Sequence, residues 1–139
     1  MTGGRGLRIG GARLVLLAGL CVAAIGASGL GAQAAEARSF ATGSSFGFHP
    51  GSPDAFLGQV HSDANQCRKG RLVKVFRARG RRAPKLIGRA FASGTGQWKV
   101  EKGSVPVGRY YVLVPRRKFG PNGRHVCRRY KSSTLTFGS

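Results

Sequence analysis

From residue 56 onward no stretch repeats its apolar residues at helical spacing; short runs rich in Val, Ile, Phe, Tyr and Thr alternate instead with turn-forming residues. Gln97–Glu101 is the clearest run. Successive side chains of a strand leave opposite faces, so Trp98 and Val100 share one face and three polar side chains take the other. Tyr110, Val112 and Val114 share a face in the same way, as do Leu135 and Phe137 against Thr134 and Thr136. The pattern predicts strands near 56–61, 72–77, 85–92, 97–101, 109–114 and 133–137, and a tight turn at Asn122-Gly123. Strands with one apolar face pair antiparallel and bury that face. The expected fold is therefore all-β: a single small antiparallel β-sandwich of about 6–7 strands, with Trp98, Val100, Tyr110, Val112, Leu135 and Phe137 in its core.

The amino end sets the compartment. Arg5, Arg8 and Arg13 come first, Leu14 to Ala35 carries no charge, and Ala32-Gln33-Ala34 and Ala35-Glu36-Ala37 are small-x-small cleavage sites. A cationic start, an apolar run and a small-residue site are the order of a secretory signal peptide, so residues 1–37 read as a signal helix that is cleaved off. The alternative is an uncleaved anchor, since a spanning helix needs about 20 apolar residues. Gly, Ser and Gln33 within the run weigh against it, and contact with a membrane is expected only on that alternative. Cys21 follows Leu20 rather than a small residue, which does not suit a lipid-anchor site. The expected localisation is secreted, extracellular. Residues 38–55, rich in Gly, Ser and Pro with scattered Phe, read as a flexible spacer, with Phe46, Phe48 and Phe56 still able to pack onto the domain, and 56–139 as the β-sandwich domain.

Two cysteines remain after cleavage, Cys67 and Cys127, and an oxidising compartment favours a disulfide between them. Zinc held with His61 and His125 is the alternative, but neither Cys–His spacing matches a common structural zinc motif. No metal and no cofactor is expected.

Residues 94–114 carry a resemblance. Thr95-Gly96-Gln97-Trp98-Lys99-Val100, then Val107-Gly108-Arg109-Tyr110-Tyr111-Val112, resembles the Gly-x-aromatic … Gly-x-Tyr pattern of carboxypeptidase regulatory-like, transthyretin-like (prealbumin-like) β-sandwich modules. The resemblance implies a non-catalytic module of a secreted or surface protein. Gly96 permits a tight turn into the strand, and Gly108 a bend before Tyr110 enters the core. The acidic turn residue often found before the first Gly is replaced by Ser93-Gly94-Thr95, and only the fold is carried over.

Nothing in the chain marks a reaction. After cleavage the acidic side chains are Asp54, Asp63 and Glu101, scattered over spacer, loop and strand end rather than paired across a cleft. Walker loop, His-Glu-x-x-His and Gly-x-Ser-x-Gly are all missing. The expectation is no enzyme, no catalytic residue and no small-molecule substrate.

Charge points to a partner instead. The chain carries +20, and losing three arginines and one glutamate with the signal segment leaves +18. Such a surface attracts polyanions. If each connection reverses the chain, alternate loops gather at one end, which brings Cys67 and Cys127 together. The same end collects Arg68, Lys69, Arg71, Arg116, Arg117, Lys118, Arg124, Arg128, Arg129 and Lys131, with Phe119, His125 and Tyr130 interleaved. Cations mixed with rings suit contact with a charged polymer. Arg79, Arg81, Arg82 and Lys85 fall at the opposite end.

Two readings stand. One is a secreted structural or interaction module of the cell exterior, with arginine-rich composition (17 Arg against 7 Lys) as a genomic effect. The other is a cationic binder of anionic polymers of the cell envelope, whether cell-wall polymer, glycan or nucleic acid. For export itself, the intact mass of the secreted protein should correspond to cleavage after Ala34 or Ala37, and a full-length species retained in the membrane would refute the signal-peptide reading.

Overall fold

The computed structural model describes residues 36–51 and 53–137; the expected signal segment lies outside them apart from Glu36 and Ala37, which are exposed coil. The strands are β1 (Ser39–Phe40), β2 (Gly43–Ser44), β3 (Gly47–His49), β4 (Asp54–His61), β5 (Leu72–Arg79) and β6 (Arg82–Phe91), then β7 (Gln97–Lys102), β8 (Gly108–Val114), β9 (Arg117–Phe119), β10 (His125–Cys127), β11 (Tyr130–Lys131) and β12 (Leu135–Phe137). Short 3-10 turns occupy Asn65–Cys67 and Pro121–Gly123. Every strand expected from the alternating pattern forms. The Asn122-Gly123 turn joins β9 to β10 as a small hairpin, with both residues at positive φ.

Two sheets face one another. In the first, β11 and β12 lie along one side of β8, and β5 and β6 follow on the other, all antiparallel. β6 is the far edge, and its register slips against β5 between Val75 and Phe76 and again between Arg77 and Arg79. In the second sheet β2 and β3 run along one side of β4, with β7 on the other. A third, small sheet has β1 parallel to β10, which pairs with β9.

Trp98, Val100, Tyr110, Val112 and Val114 take the inward positions that the alternation gave them, and further strand residues join them. Val73, Val75, Tyr110, Val112 and Val114 come from the first sheet, and Phe56, Val60, Trp98 and Val100 from the second; all are buried. Phe56, fully buried, is where the sheets meet: its ring centroid lies 5.0 Å from Tyr110 and 5.5 Å from Phe48. Leu135 departs from expectation. At 39% exposure it is not core, because β12 is an edge strand, while Phe137 two residues on packs inward.

The spacer expected over 38–55 is corrected. Its backbone is taken up by β1, β2, β3 and the start of β4, and Phe46 and Phe48 pack on the core, with their rings 5.1 and 5.7 Å from Phe137. Gly and Ser break the segment into strands too short to show a period, but alternating rings supply the buried face. The β-sandwich domain thus starts near residue 38. Gly58 explains how this segment sits so close: a Cβ there would overlap the Ser45 carbonyl and the Trp98 ring. Trp98 Nε1 then donates to Ser44 Oγ at 3.0 Å, so the buried indole keeps its hydrogen bond. Asp54, buried at the start of β4, accepts from Gly51 N–H at 3.0 Å and Val105 N–H at 2.8 Å.

Truncating Phe56 to Ala should cost about 3–5 kcal/mol in urea unfolding, the usual loss for a buried large aromatic. Leu135→Ala, at an exposed edge, should cost about 1 kcal/mol or less. Cys67 and Cys127 are joined, with Cα atoms 5.4 Å apart and a sequence separation of 60. Replacing both by Ser should remove about 4 kcal/mol, the chain-entropy value for a loop of that size. Non-reducing peptide mapping should recover the linked pair, and two alkylatable thiols would contradict it.

Candidate functional site at the disulfide end

The loop from β4 to β5 is wound into a 3-10 turn at Asn65–Cys67, which turns Cys67 inward to meet Cys127 at the end of β10. Loop parity is confirmed here: the two cysteines do meet. Both sulfurs are in the bridge, so neither is left as a thiolate for zinc. Among the described residues no cluster of His, Cys, Asp and Glu could hold a metal ion.

Beside the bridge sits Arg71, and its placement corrects an expectation. It is 1% exposed, not a surface cation. Its Nη2 donates to the carbonyl of Pro115, after β8, and reaches that of Arg128, after β10, at 3.5 Å. These strand-end carbonyls need donors out of reach of water, and a guanidinium has five N–H groups to give. Burial first, and then the charge of Arg117, hold the Arg71 pKa below its ordinary value. Nη1 of Arg71 is sealed from solvent and has no hydrogen-bond partner.

The other nine cations are spread over different roles. Lys69, Arg116, Arg117, Lys118, Arg128 and Arg129 are exposed, whereas Arg68 and Arg124 are half-buried. Arg117 Nη1 donates to the Lys69 carbonyl at 3.2 Å, and Arg128 Nε to Ser39 Oγ at 2.9 Å, which stiffens both loops. Lys131, opposite Leu113 near the end of β8, turns its side chain to the outward face of the sheet. Its Nζ sits 4.5 Å above the Tyr111 ring, on the outward side of β8, where Tyr111 stacks on Phe76 at 5.4 Å.

The rings expected among these cations belong to the scaffold. Phe119 and His125 pack with Phe40 at centroid distances of 5.7 and 6.2 Å, and Tyr130 leans on the core. His125 Nδ1 also accepts the Arg38 N–H at 3.3 Å. The ring that does face solvent is Phe91, 71% exposed at the end of β6 and paired across the ladder with Leu72. Sequence reasoning missed it, although Ala90 and Ala92 facing inward already send Phe91 outward.

Phe91 and Leu72 form one wall of a cavity of about 340 Å³ completed by Gly70, Arg71, Pro115, Arg116 and Arg117. Three arginines line it and no acidic residue does, among the described residues. The acidic side chains are otherwise engaged or elsewhere: Asp54 is buried under backbone N–H groups, and Glu101 pairs with Lys99 at 2.6 Å. Arg79, Arg81 and Arg82 are exposed at the β5–β6 hairpin, and Lys85 in β6 borders a smaller cavity there with Arg77 and Lys102. Comparison with protein-family models, with curated proteins and with solved structures finds no match to this chain.

Proposed function

We propose that the protein is a secreted, non-catalytic β-sandwich module that attaches to anionic polymers of the cell envelope through its disulfide end. The observation that carries this reading is the set of exposed cations on loops that a disulfide and backbone hydrogen bonds hold in place. A charged partner meeting ordered arginines loses less freedom on binding than one meeting slack loops. Arginine also matches phosphate and sulfate groups better than a lysine point charge does. The signal-like leader and the disulfide support an exported setting.

The resemblance of 94–114 to carboxypeptidase regulatory-like modules belongs to the same proposal. Its local reasoning is supported by Gly96, which has φ near 90° and where a Cβ would overlap the Val60 carbonyl, and by Tyr110, which is buried with its hydroxyl donating to the Pro106 carbonyl. The second reading, a structural module whose charge is incidental, is favoured by the cations at the far hairpin.

A salt gradient on heparin and DNA columns separates the two. Changing Lys69, Lys118 and Arg129 to Glu should lower the salt needed for elution distinctly more than changing Arg79, Arg81 and Arg82 to Glu, because binding depends less on salt when fewer cations pair with the polymer. Equal shifts would mean diffuse charge and favour the structural module.

A further inference from the structure

We propose that the cavity lined by Arg71, Arg116 and Arg117 binds one tetrahedral oxyanion, a phosphate or sulfate group, free or carried as an ester, with Phe91 beside it for the group's apolar neighbour. The inference rests on the polyanion reading above and gives it a specific seat.

Arg71 supplies the main argument. Taking a cation out of water is unfavourable unless a counter-charge and hydrogen-bond acceptors replace what water gave. Arg71 has carbonyl acceptors for Nη2 alone; its Nη1 has none, and the charge of Arg117 that acts on it is also positive. No carboxylate among the described residues lines the cavity to offset them. An oxyanion in the cavity would supply what is missing: negative charge beside the buried Arg71, and acceptors for the exposed guanidiniums of Arg116 and Arg117.

The site is also held ready. Carbonyls of Pro115 and Arg128 fix Arg71, the carbonyl of Lys69 fixes Arg117, and the nearby Cys67–Cys127 bridge ties the segments that bear them. Arg71 forms the floor and the exposed Arg116 and Arg117 the rim. Leu72, Pro115 and Phe91 make the remaining wall apolar, which suits an ester whose far side is a sugar or another ring.

The test is a titration of the mature protein with inorganic phosphate and with phenyl phosphate at fixed ionic strength, followed by the arginine Nε–Hε NMR signals. Saturable shifts of Arg71 and Arg117 are expected, leaving Arg79 unmoved. Arg117→Gln should weaken binding about ten-fold or more, the loss of one charged hydrogen-bonding partner, and Arg79→Gln should not. Arg71→Met should abolish the site. Because Arg71 also holds two carbonyls, Arg116→Gln is the companion variant if that protein fails to fold.

Tighter binding of phenyl phosphate, reduced by Phe91→Ser, would identify an ester as the source. Equal binding of the two probes would identify the free anion. Non-saturating shifts, or unchanged affinity in Arg117→Gln, would overturn the inference. Column retention without a saturable phosphate site would overturn it and leave the polyanion reading standing. A saturable site in a protein that neither column retains would do the reverse.

Discussion

Phe56 joins the two sheets, and most of the domain is arranged around that contact. Its ring touches Tyr110 across the sandwich and Phe46 and Phe48 on the neighbouring edge, with Phe137 closing the group from β12. The rings come from both sheets, so neither sheet can shift without breaking the cluster. Tyr110 can take part because its hydroxyl is satisfied by the Pro106 carbonyl, and burial pushes its pKa up, which keeps it a neutral donor. Pairs of this kind are worth about 0.5–1.5 kcal/mol each beyond the area they bury. With β8 held centrally by Tyr110, Val112 and Val114, the loop after it delivers Pro115, Arg116 and Arg117 to a fixed place.

The strands were legible where they were long and half-buried. Trp98 and Val100, or Val73 and Val75, alternate cleanly because one face of each strand meets the core and the other meets water. The segment before residue 55 failed that reading for a physical reason: strands of two or three residues cannot display a period, and Gly and Ser suggest a tether. The informative signal there was Phe46 and Phe48, spaced for one face of a strand. Leu135 shows the converse limit, since alternation gives the direction of a side chain and not whether another sheet covers it.

The site was legible at the level of which loops meet and illegible at the level of what each arginine does. Strand parity brought Cys67 to Cys127 with no knowledge of packing. It also placed Arg71 with its neighbours, yet composition cannot tell an arginine in solvent from one that bridges the carbonyls of Pro115 and Arg128. That distinction depends on where two strands end. Phe91 was hidden for a similar reason: the alternation sends it outward, but only the cavity gives an outward ring a context.

The slipped register of β6 has a consequence for how copies of the protein behave near one another. This strand is the free margin of the five-stranded sheet, where a straight ladder of backbone groups would invite another molecule to add on. Here the ladder is interrupted twice, Pro84 offers no N–H, and Arg82, Lys85 and Arg89 bring like charges to any identical strand that approaches. An identical strand approaching this margin would therefore meet an interrupted ladder and repelling charges in place of a straight template.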